Sequence, residues 1–312
     1  MDRSQSDPNA DGHNRASSRG AIGVVLLAGS LVPSPLVQAA GCSVLSLWLA
    51  ETGTVLDHWI ASAVRAGIDR EILCVFGGAG APPTPPEGAV GVRIVQDRTG
   101  YRGPAGSVRD AVEGLGLSRV VIAEGARYLT DDLGTLLEAH EKSGADVAIA
   151  RNPDGSPAGL YVASERSLAL IPHAGYLDLK EQWLQKVSGA GMRAIVHDLS
   201  GKGSISLRTR EDFIRGSFEA SGLRQPARTR IWGAGSFMPG AGRRGVVAKR
   251  AEVSSDALVM DSVVMPGARI EPEAVVLRSI VMPGAVVSGG DELVETVAAP
   301  KGRRIPVGAD TE

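Results

Sequence analysis

Apolar runs alternate with amphipathic helical patterns from residue 21 to about residue 215. The run "AIGVVLLAG" is continuously apolar and ends in glycine, which is typical of a strand buried on both faces of a sheet. The segment "TVLDHWIASAVRAG" instead places Val55, Trp59 and Val64 at helical spacing before a closing glycine. This alternation predicts an α/β fold with a doubly wound, mostly parallel sheet.

The rest of this region extends the same pattern. In "TDDLGTLLEAHEKSG" we expect a helix capped by Thr130, with acidic residues in its first turn and Gly144 at its end. Two more helices are expected in "GSVRDAVEGLG" and "TREDFIRGSFEA". Further strands are expected in "EILCVFGG", "VGVRIVQD", "RVVIAEG", "ADVAIAR", "AGLYVAS" and "GMRAIVHDL".

After about residue 225 the pattern changes to a short repeat. The segment "SVVMPGA" at 262–268 recurs as "SIVMPGA" at 279–285, and aliphatic residues recur every five or six positions around it. Three such hexads make one triangular coil, so this spacing predicts a left-handed β-helix of hexapeptide type with about two coils. A β-helix this short would need its ends or faces covered by a neighbouring domain or subunit. The alternative is a pair of hairpins with similar turns.

These patterns divide the chain into five parts. Residues 1–20 are polar and are expected to form a disordered tail. The α/β domain is assigned to 21–225, an irregular linker to 226–250, the β-helix to 251–295 and a second tail to 296–312.

Composition and charge narrow the function classes. The net charge is −2 and aromatic residues make up 4%, so nucleic acid and anionic membranes are not expected as partners. No run of about 18 apolar residues is free of breakers, so no transmembrane helix is expected. The stretch "VVLLAGSLVPSPLVQAAGC" could be read as a signal sequence, but Pro33 and Pro35 interrupt its apolar region. We therefore expect a buried first strand and a cytoplasmic protein.

Several segments, in order, resemble those of the sugar-1-phosphate nucleotidyltransferases, in particular the mannose-1-phosphate guanylyltransferase group. They are "LLAGSLVPSPL", "GTVLDHWI", "YRGPAGSVRDA", "RVVIAEGARYLTDDL", "SPAGLYVAS" and "SLRTREDFIRG". The resemblance implies a Rossmann-like sheet of the nucleotide-diphospho-sugar transferase type, followed by the β-helix. It also implies a nucleotide, a sugar phosphate or a sugar nucleotide as the ligand. The residues that would contact the nucleotide are Leu27, Ala28, Gly29, Ser30, Gly103, Ala105, Gly106, Glu124 and Gly125.

The chain departs from the family pattern where the chemistry is expected. The family has a G-x-G-T-R element in its phosphate loop, but here only Ser30, Leu31 and Val32 follow Gly29. No lysine or arginine occurs between Arg19 and Arg65. The two positions that hold metal-binding aspartates in the family correspond to Ala126 and Ser206, so no metal ligand is expected there.

Two functions remain open. The first is a catalytically impaired protein that binds a sugar nucleotide or pairs with an active relative as a regulatory subunit, as a homo-oligomer or hetero-oligomer. The second is an active, divergent enzyme that uses Mg²⁺ and makes an NDP-sugar, for example of the GDP-mannose type, and pyrophosphate. Candidate catalytic residues for the second are Arg102, Asp178 and Lys180, with Arg109 as a further cation. The alternative for these residues is that they are solvated surface charges.

Overall fold

The computed structural model describes residues 21–29, 33–68, 71–77, 81–89, 91–97, 102–223 and 244–306. The predicted N-terminal tail, Ser30, and most of the predicted linker lie outside these ranges. Within the described residues, every helix is too short or too polar to span a lipid bilayer.

A seven-stranded sheet organises the first part of the chain. Its strands are β1 (Ile22–Leu27), β2 (Ile72–Phe76), β3 (Val92–Gln96), β4 (Arg119–Glu124), β6 (Val147–Arg151), β7 (Pro157–Ser164) and β8 (Ala194–Asp198). They lie in the order β3-β2-β1-β4-β7-β6-β8. All neighbouring pairs are parallel except those of β7, which runs antiparallel to β4 and to β6. The prediction of a mostly parallel α/β sheet is confirmed.

Helices cover both faces of this sheet, as a doubly wound fold requires. Along β1, Val24 and Leu26 point into one apolar core and Val25 points into the other. The first core contains helices α1 (Pro35–Ala40), α2 (Val55–Arg65), α4 (Leu133–Ser143) and α7 (Arg210–Ala220). The second contains α3 (Gly103–Val112), α5 (Glu165–Leu168) and α6 (Leu184–Gly189). This two-sided burial explains why the strands read as continuous apolar runs.

The start of α4 corrects one expectation. Its N-cap is Asp132, whose Oδ1 accepts a hydrogen bond from Gly134 N at 2.9 Å. Thr130, predicted to be the cap, instead donates its hydroxyl to Gly203 O at 2.8 Å. A carboxylate at Asp132 satisfies the free amide at the helix start, so the helix begins two residues later than the pattern predicts.

A small antiparallel pair, β5 (Arg127–Leu129) and β9 (Ser204–Ser206), lies beside the end of β4. Arg127 pairs with Ser206, and Leu207 N donates to Ala126 O at 2.9 Å. This pairing brings the chain just after β9 to the carboxyl end of β4.

The C-terminal part is a coil of short parallel strands. They are β10 (Arg244–Val247), β11 (Glu252–Val253), β12 (Leu258–Val264), β13 (Arg269–Ile270), β14 (Val275–Leu277), β15 (Ile280–Val281), β16 (Val286–Val287), β17 (Glu292–Val294) and β18 (Thr296–Ala299). Leu258 lies beside Val275, and Val275 lies beside Glu292, in parallel register. Parallel stacking with a repeat of 17 residues rules out the two hairpins. The left-handed twist and the hexapeptide class stay predictions.

The coil differs in extent from the predicted 251–295. Strand β10 adds to its beginning and β18 to its end, so part of the predicted tail belongs to the stack. A last strand, β19 (Arg303–Pro306), turns back antiparallel to β18. Val263, Ile280 and Val297 on this side of the coil belong to the same apolar core as α1 and α7. Among the described residues, two sides of the coil stack three strands each and the third stacks four, so the coil is longer than the predicted two turns. The α/β domain covers one of its faces, as a short stack needs.

Buried hydroxyls join successive coils. Ser279 is fully buried; its Oγ accepts from Thr296 N at 3.0 Å and donates to Leu277 O at 2.7 Å. We expect Ser279→Ala to lower the free energy of unfolding by about 1–3 kcal/mol, because it removes a fully buried hydroxyl that accepts from the half-buried Thr296 amide. Urea denaturation measures this. The exposed Ser255→Ala is the control, with an expected change within about 0.5 kcal/mol. Equal effects of the two variants would contradict the prediction.

Candidate functional site

The carboxyl ends of β1, β2 and β4 open into a cavity of about 660 Å³. In open α/β sheets, ligands bind at this edge because the strand ends and the following loops leave a crevice there. Helix α3 and the helical turn Leu179–Trp183 complete the walls. Its polar lining comes from Asp97, Ser107, Tyr161, Tyr176, Asp178, Lys180, Glu124 and Arg208.

The structure brings many of the predicted site residues together. Those that line this cavity are Leu27, Gly29, Gly103, Glu124, Asp178 and Lys180. Ala28 and Ala126 line an adjoining cavity of about 90 Å³, which shares Leu27, Gly29, Gly77 and Arg208 with the first. Ala105 and Gly106 are buried within α3, and Gly125 O accepts a hydrogen bond from Trp59 Nε1 at 3.0 Å. None of these three is among the residues that line the main cavity in the described part of the chain.

Arg102, a predicted catalytic cation, is not among the residues that line the cavity in the described structure. Its side chain is 8% exposed; its Nη2 lies 2.7 Å from Asp110 Oδ1, and its Nη1 donates to Pro172 O at 3.1 Å. Arg109 likewise contacts Ile171 O and His173. In the described structure both guanidinium groups tie α3 to the chain at 171–173 rather than lining the cavity. The solvated-charge alternative is also wrong for Arg102, since it is buried and paired.

The cationic groups at the cavity surround one carboxylate, which we call the Glu124 cluster: Glu124, Arg127, Lys180 and Arg208. Glu124 ends β4, and its Oε2 accepts from Arg127 Nε at 2.9 Å. Lys180 Nζ lies 3.2 Å from Oε1, and Arg208 Nη2 lies 3.7 Å from Oε2. Burial alone would raise the pKa of Glu124, but the three cations outweigh it and hold the pKa below its ordinary value. The carboxylate is therefore ionised and enclosed by positive charge.

Local structure fixes each member of the cluster. Arg127 is held by β5, and its Nη1 also reaches Ser204 O on β9 at 3.5 Å. Arg208 lies two residues after the end of β9, so the pairing of β5 with β9 brings both arginines to the same place. Asp178 caps the helical turn that carries Lys180, because its Oδ1 accepts from Lys180 N at 2.7 Å and from Glu181 N at 3.0 Å. Asp178 thus positions Lys180 through the backbone.

Sequence reasoning missed Arg127 and Arg208. Each lies beside a position where the family resemblance implies a metal aspartate: Arg127 follows Ala126, and Arg208 is two residues after Ser206. A basic residue appearing next to each lost acid was the available signal.

A divalent metal does not fit these residues. Mg²⁺ requires carboxylate or other oxygen ligands in octahedral geometry. Ala126 offers none from its side chain, and Glu124 is already engaged by three cations. Among the residues that the structure describes, no group of three or more His, Cys, Asp or Glu side chains could hold a metal ion.

The opposite end of the cavity is acidic. Asp97 follows β3, and its Oδ2 accepts from Ser107 Oγ at 2.7 Å. Strand β3 is three strands away from β4 in the sheet, a separation of roughly 14 Å at ordinary strand spacing. Tyr161 lies on β7, on the side of β4 that faces away from β3, and its pKa is raised by burial and by Glu124 and Asp178, so its hydroxyl stays protonated. The cavity therefore suits an elongated ligand with an anionic group at one end and hydrogen-bond donors at the other.

Comparison with known proteins gives a fold but no family. No family model matches the chain, and no curated protein sequence matches it. Among solved structures, it is similar to the crystal structure of a Bacillus anthracis protein assigned as a glucose-1-phosphate thymidylyltransferase, in complex with sucrose. The identity is 13%, the match covers 66% of this chain and 98% of that one, and the TM-score is 0.53. The chain thus has a nucleotidyltransferase-like fold.

Proposed function

We propose that the chain binds a nucleotide, a sugar phosphate or a sugar nucleotide in the cavity and that it is impaired in nucleotidyl transfer. The observation that carries the proposal is the Glu124 cluster. Where the resemblance implies metal-binding acids, the chain has Ala126 and Ser206, with arginines beside them. Among its described residues, the site has cations that can attract phosphate and no group of acids that could hold a catalytic metal.

Phosphate binding and nucleotidyl transfer require different groups, so a site can support the first without the second. Nucleotidyl transfer passes a nucleotidyl group to a sugar phosphate and releases pyrophosphate, so negative charge develops on the leaving group. Metal ions that bridge phosphate oxygens and fixed cations offset that charge and align the reacting atoms. Binding a phosphate requires only positive charge and donors, which Lys180 and Arg208 supply.

A second candidate function is an active, divergent enzyme that forms an NDP-sugar, for example of the GDP-mannose type, and pyrophosphate. Lys180 favours it, because this predicted catalytic cation lines the cavity beside Asp178. In that case Mg²⁺ would enter bound to the nucleoside triphosphate. Arg102 does not contribute to this candidate, because its guanidinium is committed to Asp110 and Pro172.

A regulatory role with a second subunit rests on the coil. Within the described residues, β16 and β17 end the stack on two sides, and only the third side is closed, by β19. Open coil ends of this kind favour association with another copy or with an active relative.

A binding panel combined with a turnover assay tests the proposal. Calorimetric titration with nucleoside diphosphates and triphosphates, sugar 1-phosphates and sugar nucleotides is expected to give saturable binding of at least one class. Pyrophosphate release from sugar 1-phosphates and triphosphates with Mg²⁺ is expected to stay at the level of a blank without protein. Turnover that Lys180→Met abolishes would support the active enzyme instead. Absence of binding by every compound would remove both candidates.

A further inference from the structure

We infer that Lys180 and Arg208 hold the phosphate or diphosphate of the ligand directly, as side-chain cations in place of a divalent metal, and that Glu124 is their counter-ion when no ligand is bound. This rests on the proposed function, because it concerns the same cavity. Beyond that function, the inference names the side chains that bind the anion and states that binding does not require Mg²⁺.

The four members of the Glu124 cluster are not held equally. Arg127 and Glu124 are 14% and 19% exposed, and they are joined by a direct hydrogen bond of 2.9 Å. Lys180 and Arg208 are 48% and 59% exposed and line the cavity. The Arg208 contact, at 3.7 Å, is longer than a hydrogen bond. Arg127 and Glu124 therefore form a fixed pair, while Lys180 and Arg208 are free to turn towards a ligand.

Charge balance identifies the ligand chemistry. With Arg127 and Glu124 neutralising each other, Lys180 and Arg208 leave two positive charges on the wall beside the cluster. The other acids of the described lining are Asp178, which is held by backbone amides, and Asp97, which follows β3. A phosphate dianion or a diphosphate matches that charge, whereas a single carboxylate leaves one cation unpaired. A guanidinium recognises two phosphate oxygens at once, and an ammonium acts as a compact point charge beside it.

The remaining acids place the anion at this end of the cavity. Asp97 lies about three strand spacings away, roughly 14 Å, so its repulsion is weak at the cluster. Asp178 is closer, but its Oδ1 already accepts two backbone amides. Those hydrogen bonds hold its charge at the start of the helical turn. The cavity of about 660 Å³ limits the ligand to a small molecule rather than a polymer.

Calorimetric titration with inorganic pyrophosphate, first with EDTA and then with Mg²⁺, tests the inference on the full chain. We expect saturable binding in EDTA. Lys180→Met and Arg208→Met are each expected to weaken it by about 10-fold or more, because each removes a charged hydrogen-bond donor. The matched control is Lys142→Met, an exposed lysine paired with Glu138 on α4, which should leave binding unchanged.

Glu124→Gln is expected to strengthen pyrophosphate binding, whereas the two methionine variants weaken it. A variant that failed to fold could not bind more tightly, so this result would not be confused with loss of folding. Removing the counter-ion while keeping the side-chain shape should tighten pyrophosphate binding several-fold. Pyrophosphate binding that requires Mg²⁺, or that survives both methionine variants, would overturn the inference. If nucleotides or sugar phosphates still bind under those results, the proposed function stands without it. If pyrophosphate binds through Lys180 and Arg208 but the whole nucleotide and sugar panel fails, the inference stands and the proposed ligand class does not.

Discussion

Trp183→Ala is expected to lower the free energy of unfolding by about 3–5 kcal/mol, the usual cost of truncating a large buried aromatic. Trp183 is fully buried in the core between the sheet and helices α3, α5 and α6. Its Nε1 donates to Ser167 O at 3.0 Å, which joins the helical turn Leu179–Trp183 to α5. The substitution removes both the packing and this link. Urea denaturation followed by far-UV circular dichroism measures the loss.

The same variant connects the core to the site. Lys180 lies on the turn that Trp183 anchors, so loosening the turn should also weaken pyrophosphate binding. Trp183→Phe is an intermediate variant, because it keeps an aromatic ring but loses the hydrogen bond and part of the buried ring volume, at a cost of about 1–3 kcal/mol. A loss below about 1 kcal/mol in the alanine variant would show that the surroundings collapse into the space and that the anchor is not needed.

How much the sequence predicts depends on the kind of pattern. The strands of the central sheet were readable because burial on both faces leaves continuous apolar runs such as "IGVVLL" in β1. The antiparallel direction of β7 was not readable, because an apolar run such as "AGLYVAS" indicates burial and not orientation. The three-residue strands β5 and β9 are too short to show a period and were missed.

The coil shows what a repeat adds. A recurrence of 17 residues predicts that equivalent positions stack, and Val263, Ile280 and Val297 do stack in parallel register. The repeat predicted the two ends of the coil less well than its stacking, because β10 and β18 lie beyond the segment with obvious sequence similarity. Strands of two to seven residues that pair mainly with neighbouring coils carry too little local pattern to mark their own ends.

The site was predictable only in part for a similar reason. The resemblance pointed to Glu124, because it lies in the segment "RVVIAEGARYLTDDL". Asp178 and Lys180 were candidates outside the matched segments, and they also line the cavity. It could not show that Arg102 turns towards Asp110, since position beside Gly103 says nothing about the direction of a side chain. Arg127 and Arg208 meet at Glu124 only because β5 pairs with β9, a contact between segments almost 80 residues apart.

Gly159→Ala is expected to lower the stability of the protein and to disturb the Glu124 cluster. Gly159 has φ +70°, and a Cβ there would overlap Arg127 Nε and lie 2.9 Å from Glu124 Cδ. The left-handed backbone costs alanine about 1–2 kcal/mol, and the overlap adds about 1–3 kcal/mol because the buried ion pair has to move. Urea denaturation should therefore show a clear loss, and pyrophosphate titration should show altered affinity.

Gly155→Ala is the matched control, because Gly155 lies on the turn leading into β7 and has φ +85°, and a Cβ added there would meet no atom of the described residues within 4 Å. It carries the backbone cost without the overlap, so it should lower stability by about 1–2 kcal/mol and leave pyrophosphate binding unchanged. The difference between the two variants in the free energy of unfolding measures how much it costs to displace the Arg127–Glu124 pair. Equal losses, with equal binding, would mean that the pair moves freely. Lys180 and Arg208 would then lack the fixed partner that sets their charge balance.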